Sequence, residues 1–305
     1  MRVFITGGTG FVGRSLVQRL LDLGWEVTLI TRTAETIRAL HPGVSVVEGN
    51  PGKPGAWQES VPKHDVVINL AGKSIFTLWT AKTRREIMDS RLLITRNLVE
   101  ALQSAPQGTL LISTSAVGFY GSGEDDAEYD ESSPAGEGFL AEVCKRWEAE
   151  ARLAERFGVR LATCRFGIVM GKNGGALEQM MPAFRYGLGS PLGSGRQWFS
   201  WVHMEDLVGI IVFLIEKRDI FGAVNAVAPH PVRNRELTEV LAKAFGRRVI
   251  LPAVPGFLIR SLLGEFGSVL VEGQRAIPRR LLDAGYRFRF STLEDALADL
   301  IGKRV

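Results

Sequence analysis

A short apolar run, Val3-Phe4-Ile5, leads directly into Thr6-Gly7-Gly8-Thr9-Gly10-Phe11-Val12-Gly13, and Phe11 to Leu23 carries Leu16, Val17, Leu20 and Leu21 at helical spacing. The run is apolar without alternation, as in a strand buried on both faces. A strand that passes through glycines into a helix constrains the fold tightly. The glycines let the backbone turn and approach an anion, while the free N–H groups and positive dipole end of the helix face it. Gly8, Gly10 and Gly13 match the dinucleotide fingerprint, and Gly7, Gly10 and Gly13 also fit a GxxGxxG spacing. The segment predicts a pyrophosphate site formed by Gly7, Gly8, Thr9, Gly10, Phe11, Val12 and Gly13. The plain alternative is a tight strand–helix turn.

The second strand narrows the ligand. Glu26 to Ile30 is strand-like and ends at Thr31-Arg32-Thr33. A site for NAD usually places an acid here to bond the ribose 2′-OH. None is present, and Glu35 comes later, in the following helix. Arg32 can instead pair with a 2′-phosphate, so Thr31 and Arg32 point to NADP(H) rather than NAD. An ordinary solvated arginine is the other reading.

Strand and helix signals alternate onward. Val44 to Val47, Val66 to Leu70, Thr109 to Ile112 and Arg160 to Phe166 read as strands; Thr80 to Gln103 and Phe139 to Phe157 read as helices. Such alternation predicts an α/β fold with a Rossmann-type doubly wound parallel sheet. Ligands of such sheets sit beyond the carboxyl ends of the strands. The glycine cluster, Arg32, Leu70-Ala71-Gly72 and Ser113-Thr114-Ser115 all fall there. From about Gly167 the pattern loosens into glycine-rich loops around a helix at Leu177 to Tyr186. A helix from Glu205 to Glu216 and a strand from Ala223 to Val227 follow. The expected organisation is a dinucleotide-binding domain over 1–166 with a return segment near 203–228. Residues 167–202 and 229–305 form a smaller C-terminal substrate-side subdomain.

With 305 residues, 46% of them apolar, the chain can bury a large core. Its net charge of +4 comes without a dense basic block, which argues against nucleic acid as a partner. Cys144 and Cys164 lack CxxC spacing, so neither a disulfide framework nor a metal site is expected, and a reducing cytoplasm is the default compartment. The first strand occupies the N-terminus, leaving no room for a signal peptide. No apolar stretch reaches the roughly 18–20 residues that span a membrane.

Taken together, Thr6-Gly7-Gly8-Thr9-Gly10-Phe11-Val12-Gly13, Asn69-Leu70-Ala71-Gly72, Ser113-Thr114-Ser115-Ala116-Val117, Tyr120-Gly121 and Trp201-Val202-His203 with Asp206 resemble the extended short-chain dehydrogenase/reductases. That group includes nucleotide-sugar epimerases and dehydratases. Trp79 with Lys82, Ser90-Arg91, Thr95, Phe139-Leu140-Ala141, Cys144, Trp147-Glu148, Gly273-Gln274-Arg275, Pro278 and Gly285 are similar to an atypical branch, the bacterial epimerase-family proteins once labelled cell-division inhibitors. The resemblance also points to a homodimer through the long helices after strands four and five.

The family's usual chemistry, as the resemblance implies it, uses a serine at a strand end and a Tyr-x-x-x-Lys pair on the next helix. The tyrosine exchanges a proton while hydride moves, and the lysine lowers its pKa and holds the nicotinamide ribose. Ser115 matches the serine. Aligning Glu148 to the family's downstream glutamate puts Leu140 at the tyrosine position and Cys144 at the lysine position. Taking Lys145 as the lysine puts Ala141 at the tyrosine. Neither alignment supplies a phenol.

Tyr120 is the substitute candidate, against a packing role that the wider family's Tyr-Gly favours. Glu128, Asp130 and Glu131 read as a solvated acidic loop or as one buried acid. Arg196 is a candidate phosphate ligand on the substrate side and His203 a second substrate-side residue, while Asp206 reads as structural. Arg91 reads as a cleft residue or as the partner of Glu86 or Asp89 on the helix surface. The aromatic residues Phe76, Trp79, Trp198, Phe199 and Trp201 read as pocket lining or as core.

The expected function is an NADP(H)-binding, epimerase-like or reductase-like oxidoreductase acting on a small carbonyl or hydroxyl compound, with sugar nucleotides among the substrates considered. The alternative is a non-catalytic NADP(H)-binding regulatory or redox-sensing protein.

Overall fold

A computed structural model of the chain describes residues 1–33, 43–123 and 126–302. Glu35 therefore lies outside the described residues. Seven strands form one sheet: β1 (Arg2–Thr6), β2 (Glu26–Thr31), β3 (Val44–Glu48), β4 (Val66–Asn69), β5 (Leu110–Ala116), β6 (Arg160–Phe166) and β7 (Gly222–Ala226). Their order is β3-β2-β1-β4-β5-β6-β7, and every neighbouring pair is parallel. The order reverses beside β1, which opens a crevice at the carboxyl edge between β1 and β4. This is the α/β, Rossmann-type doubly wound sheet expected from the alternation.

Strand residues two apart share a face, and both faces are covered. Val3, Ile5, Leu29, Ile68 and Ile112 point to one side and pack against helices α1 (Phe11–Asp22) and α4 (Met204–Glu216). Phe4, Ile30, Val67, Leu111 and Leu161 point to the other. There they meet α2 (Ala81–Ala101), α3 (Phe139–Arg152) and the turn carrying Trp57 and Val61. By the same alternation Thr6, Asn69, Ser113, Ser115, Thr163 and Arg165 belong to the α2/α3 face. Of these buried polar residues, Thr6, Asn69, Ser115 and Arg165 find side-chain partners under the functional cleft, whereas the Ser113 hydroxyl has none among the described residues.

The expected long helix Phe139–Phe157 stops being α-helical at Arg152 and continues as a 3₁₀ turn, Leu153–Phe157. A third apolar cluster, with Met170, Leu177, Phe184, Trp201, Leu241, Phe290 and Leu297, unites the C-terminal helices with the segment after β6. Three short pairings escaped the sequence reading: Ile168–Gly171 with Trp201–His203, Trp198–Phe199 with Val232–Arg233, and Glu128–Tyr129 with Arg275–Ala276. The last one corrects the solvated-loop reading of the acidic stretch. Glu131 accepts the backbone N–H groups of Asn225 and Arg280, and burial raises its pKa. Among the described residues no helix is long and apolar enough to cross a membrane.

The C-terminal segment is tied to the sheet through Asp206, in the first turn of α4. Its buried carboxylate accepts the N–H groups of Arg289 (2.7 Å) and Phe290 (2.9 Å), and its carbonyl accepts from the Tyr286 hydroxyl (3.0 Å). Asp206→Ala strands two backbone donors away from water. It is expected to lower unfolding free energy by about 2–4 kcal/mol, read as a reduced urea midpoint.

Candidate functional site

The glycine turn has the shape that its sequence demands. Gly7 adopts φ +72°, and a β-carbon there would come within 2.7 Å of the Leu70 carbonyl carbon. A β-carbon on Gly13 would lie 2.3 Å from the Gly7 oxygen, so nothing larger than glycine fits where α1 crosses the turn. Gly10 caps α1 without a side-chain bond to its first turn. The N–H groups there face the crevice with no protein acceptor supplied by the cap. Thr9 and Gly10 are exposed and Gly8 is buried against Leu29; the Arg14 side chain holds the Thr9 carbonyl (2.9 Å). Phe11 and Val12 are partly buried, and the Phe11 ring lies against Gly171, Gly174 and Gly175.

Along the edge on the β2 side, Thr31 closes a turn onto Thr33, and Arg32 is exposed with no ion pair among the described residues. On the β4 side, Leu70 donates its N–H to the Thr6 carbonyl, and Ala71 and Gly72 run past the Gly7 turn. Beneath them Thr6 Oγ1 donates to Asn69 Oδ1 (2.7 Å), and Asn69 Nδ2 donates to Thr95 Oγ1 (3.0 Å). Trp147 Nε1 donates to the same threonine (2.9 Å). Strands β1 and β4 are thus stitched to α2 and α3 directly under the crevice.

Arg91 leaves α2 toward Gly72. Its Nη1 donates to the carbonyls of Lys73 and Ile87 (3.0 Å each), and its Cζ lies 5.2 Å from the Trp147 ring centre. The expected surface pair with Glu86 or Asp89 is not formed. Glu86 instead meets Lys73 and Lys82, and among the described residues no carboxylate pairs with Arg91.

The chemistry end of the crevice is a closed polar chain. The register sets Ser115 of β5 opposite Arg165 of β6, and Arg165 opposite Asn225 of β7. Glu148 reaches this row from α3. Ser115 Oγ donates to Glu148 Oε1 (2.7 Å), and Arg165 grips both Glu148 oxygens at 2.9 Å. Arg165 Nη1 donates to the Tyr120 oxygen (2.9 Å), and the Tyr120 hydroxyl donates to Asn225 Oδ1 (2.7 Å). All five residues are at most 4% exposed.

Burial works against the charge on Arg165, but the Glu148 carboxylate outweighs it, and the arginine pKa rises. Burial pushes the Tyr120 phenol up to about 12. Cys144, beside Ser115, is fully enclosed and pushed by burial up to about 11. Leu140 and Cys144 stand in α3 where the family's tyrosine and lysine are expected, and Lys145 is exposed against Glu142 (3.1 Å). Arg165 and Asn225 were missed by the sequence reading. Their signal was a charged or amide side chain inside an otherwise apolar buried strand.

The substrate-side candidates lie apart. Arg196 is exposed, and its carbonyl accepts from Arg233. His203 is 1% exposed. Its Nδ1 accepts the Glu205 N–H (3.1 Å) to cap α4, its Nε2 lies 3.5 Å from Asp299, and its ring rests on Phe290 at 3.9 Å. Trp201 and Phe199 are core, and Trp198 packs between the guanidinium groups of Arg233 and Arg275. Phe76, Trp79, Phe139 and Phe266 form one aromatic cluster, bordered by the Arg84–Glu265 ion pair (2.6 Å).

Comparisons with known proteins agree with this geometry. Residues 3–226 match the NAD dependent epimerase/dehydratase family, and residues 254–300 match a domain of unknown function (DUF1731). The chain is 38% identical to the epimerase family protein YfhF of Bacillus subtilis, over 100% of this chain and 99% of the relative. The crystal structure of the human epimerase family protein SDR39U1 (isoform 2) with NADPH superposes with a TM-score of 0.85 at 36% identity, covering 99% of both chains. A nucleoside-diphosphate sugar epimerase from Corynebacterium glutamicum superposes at 0.80 with 32% identity, over 99% of this chain and 58% of that one. The glycine turn at β1, the strand order around it and a family match spanning the whole sheet lead to one conclusion: the chain belongs to the NAD dependent epimerase/dehydratase family.

Proposed function

We propose that this protein binds NADP(H) across the carboxyl edge of its sheet, and that any hydride exchange it carries out on a small carbonyl or hydroxyl compound takes up a proton from substrate or solvent (carbonyl reduction) or releases one to them (hydroxyl oxidation) rather than through a tyrosine–lysine pair. The observation that carries the binding half is the Gly7–Gly13 cradle, which a single β-carbon would fill. The uncapped first turn of α1 receives the pyrophosphate, Ala71 and Gly72 line the nicotinamide side, and Arg32 receives the 2′-phosphate. The NADPH held by the human relative supports the same choice of dinucleotide. When bound, the nicotinamide gives or accepts a hydride.

The observation that carries the second half is the state of the acid–base positions. Tyr120 already accepts from Arg165 and donates to Asn225, and its raised pKa makes it a weak acid at neutral pH. The Ser115 hydroxyl is committed to a hydrogen bond to the Glu148 carboxylate. These residues hold β5, β6, β7 and α3 in register; Leu140 and Cys144 supply no proton. A second reading, a redox-sensing or regulatory NADP(H)-binding protein without turnover, is favoured by the same vacancy of function at Leu140 and Cys144. Turnover of bound NADPH with a panel of carbonyl compounds, including nucleoside-diphosphate sugars, separates the two. Net oxidation of NADPH beyond the blank, or formation of an epimer or dehydrated product without net loss of NADPH, supports the enzyme; the absence of both across the panel supports the sensor.

Calorimetry tests the cofactor. The protein is expected to bind NADPH more tightly than NADH, and Arg32→Ser to cost about tenfold in NADPH affinity while leaving NADH unchanged. Equal affinity for both dinucleotides in the unaltered protein contradicts the assignment. The scaffold role of the polar chain is tested by a double-mutant cycle in urea. Arg165→Met alone leaves Glu148 buried and unpaired and is expected to cost about 3–5 kcal/mol, much of it recovered when Glu148→Leu is added. Additive losses contradict the pairing.

A further inference from the structure

The sheet order lays out the crevice as a line. Arg32 follows β2, the glycine turn follows β1, Gly72 and Arg91 lie beyond β4, and Ser115 closes β5. A dinucleotide whose pyrophosphate rests on the β1 turn and whose 2′-phosphate meets Arg32 must send its nicotinamide half toward β4 and β5. On that side the lysine position expected of the family falls on Cys144, a neutral buried thiol, or on Lys145, which is exposed and pairs with Glu142. A neighbouring cation is present all the same.

Arg91 comes from α2 rather than α3, and its guanidinium carbon is 3.4 Å from where a β-carbon of Gly72 would sit. Trp147 flanks it at 5.2 Å, and Cys144 is near enough to feel its charge. Its two hydrogen bonds both leave from Nη1 and both end on backbone carbonyls, so neither neutralises it. Among the described residues its Nε and Nη2 have no protein acceptor and its charge has no carboxylate. Burial pulls its pKa below the ordinary arginine value. A partly buried guanidinium without a counter-ion, with donors to spare and wedged between an exposed glycine and an indole, is built to receive oxygens of a ligand.

We infer that Arg91 takes the place of the absent lysine and grips the nicotinamide half of the bound dinucleotide, through its ribose hydroxyls and the adjoining phosphate. The inference rests on the NADP(H) reading. It makes Arg91 a binding residue that supplies charge and donors but, unlike a lysine paired with a tyrosine, no path for a proton.

The test compares two ligands by calorimetry: NADPH, and adenosine 2′,5′-bisphosphate, which carries the 2′-phosphate and adenine but no nicotinamide half. Arg91→Met is expected to weaken NADPH about tenfold or more while leaving the bisphosphate within about twofold of the unaltered protein; Arg91→Lys is expected to recover part of the loss. Unchanged bisphosphate binding also shows that the variant is folded. Equal weakening of both ligands assigns Arg91 to packing the Lys73 loop and overturns the inference, as does unchanged binding of both. If the unaltered protein binds the bisphosphate and NADPH, the cofactor reading stands whichever way Arg91→Met falls. If it binds neither, that reading fails and the role of Arg91 with it.

Discussion

The buried ion pair between Glu148 and Arg165 is the contact on which the rest of the crevice depends. A charge in a protein interior is tolerated only when it is paired and its remaining hydrogen-bond capacity is used. Here the requirement is met in both directions. Glu148 takes two bonds from Arg165 and one from Ser115, and the third nitrogen of Arg165 donates to Tyr120, which passes the chain to Asn225. Phe119 covers the guanidinium face at 3.5 Å. One pair therefore fixes the spacing of α3 against β5, β6 and β7. Because Trp147 is the residue before Glu148, it also sets where the indole beside Arg91 stands.

The consequence is a division within one cleft. Toward β1 and β2 the backbone is glycine-lined and leads into the N-terminal turn of α1, the features that a phosphate needs. Toward β5 every polar group of the Ser115–Asn225 chain is spoken for, and the thiol and phenol that remain are held in their neutral forms. In the family's usual arrangement a lysine couples these halves, because it both holds the ribose and tunes the tyrosine. In this chain Arg91 is placed for the first task, and the closed chain leaves no group for the second. Keeping the nucleotide cradle without the tyrosine–lysine pair is chemically coherent, since the two depend on different atoms.

The sequence made the cradle legible because its cause is local. Gly13 is required by the nearby backbone of Gly7 and Gly8, Gly7 turns with a positive φ although the atoms that crowd it belong to Leu70 and Ala71, and the apolar run before them declares the strand. The alternation of later strands and helices was equally readable, down to β7 returning after α4. Arg165 and Asn225 were not, because their meaning is a register between strands about 50 or more residues apart, and no spacing rule spans that distance. The same holds for Arg91. Sequence offered Glu86 and Asp89 as partners within a helical turn, yet the chain crossing at Lys73–Gly72 captured the guanidinium instead. The pairing of Glu128–Tyr129 with Arg275–Ala276 joins segments that nothing in the sequence connects. Leu140 and Cys144 show the opposite case, in which an alignment identified what was missing before any geometry was known.

The central claim is that no activated phenol stands beside the bound nicotinamide. An ultraviolet difference titration at the tyrosinate band, performed on the protein saturated with NADP⁺, addresses it directly. The chain has only four tyrosines, so a single ionisation is resolvable. The account predicts no tyrosinate below about pH 9, because burial raises the phenols of Tyr120 and Tyr286 above the ordinary tyrosine value. A tyrosine that ionises near neutral pH, and does so only when the dinucleotide is bound, would contradict it.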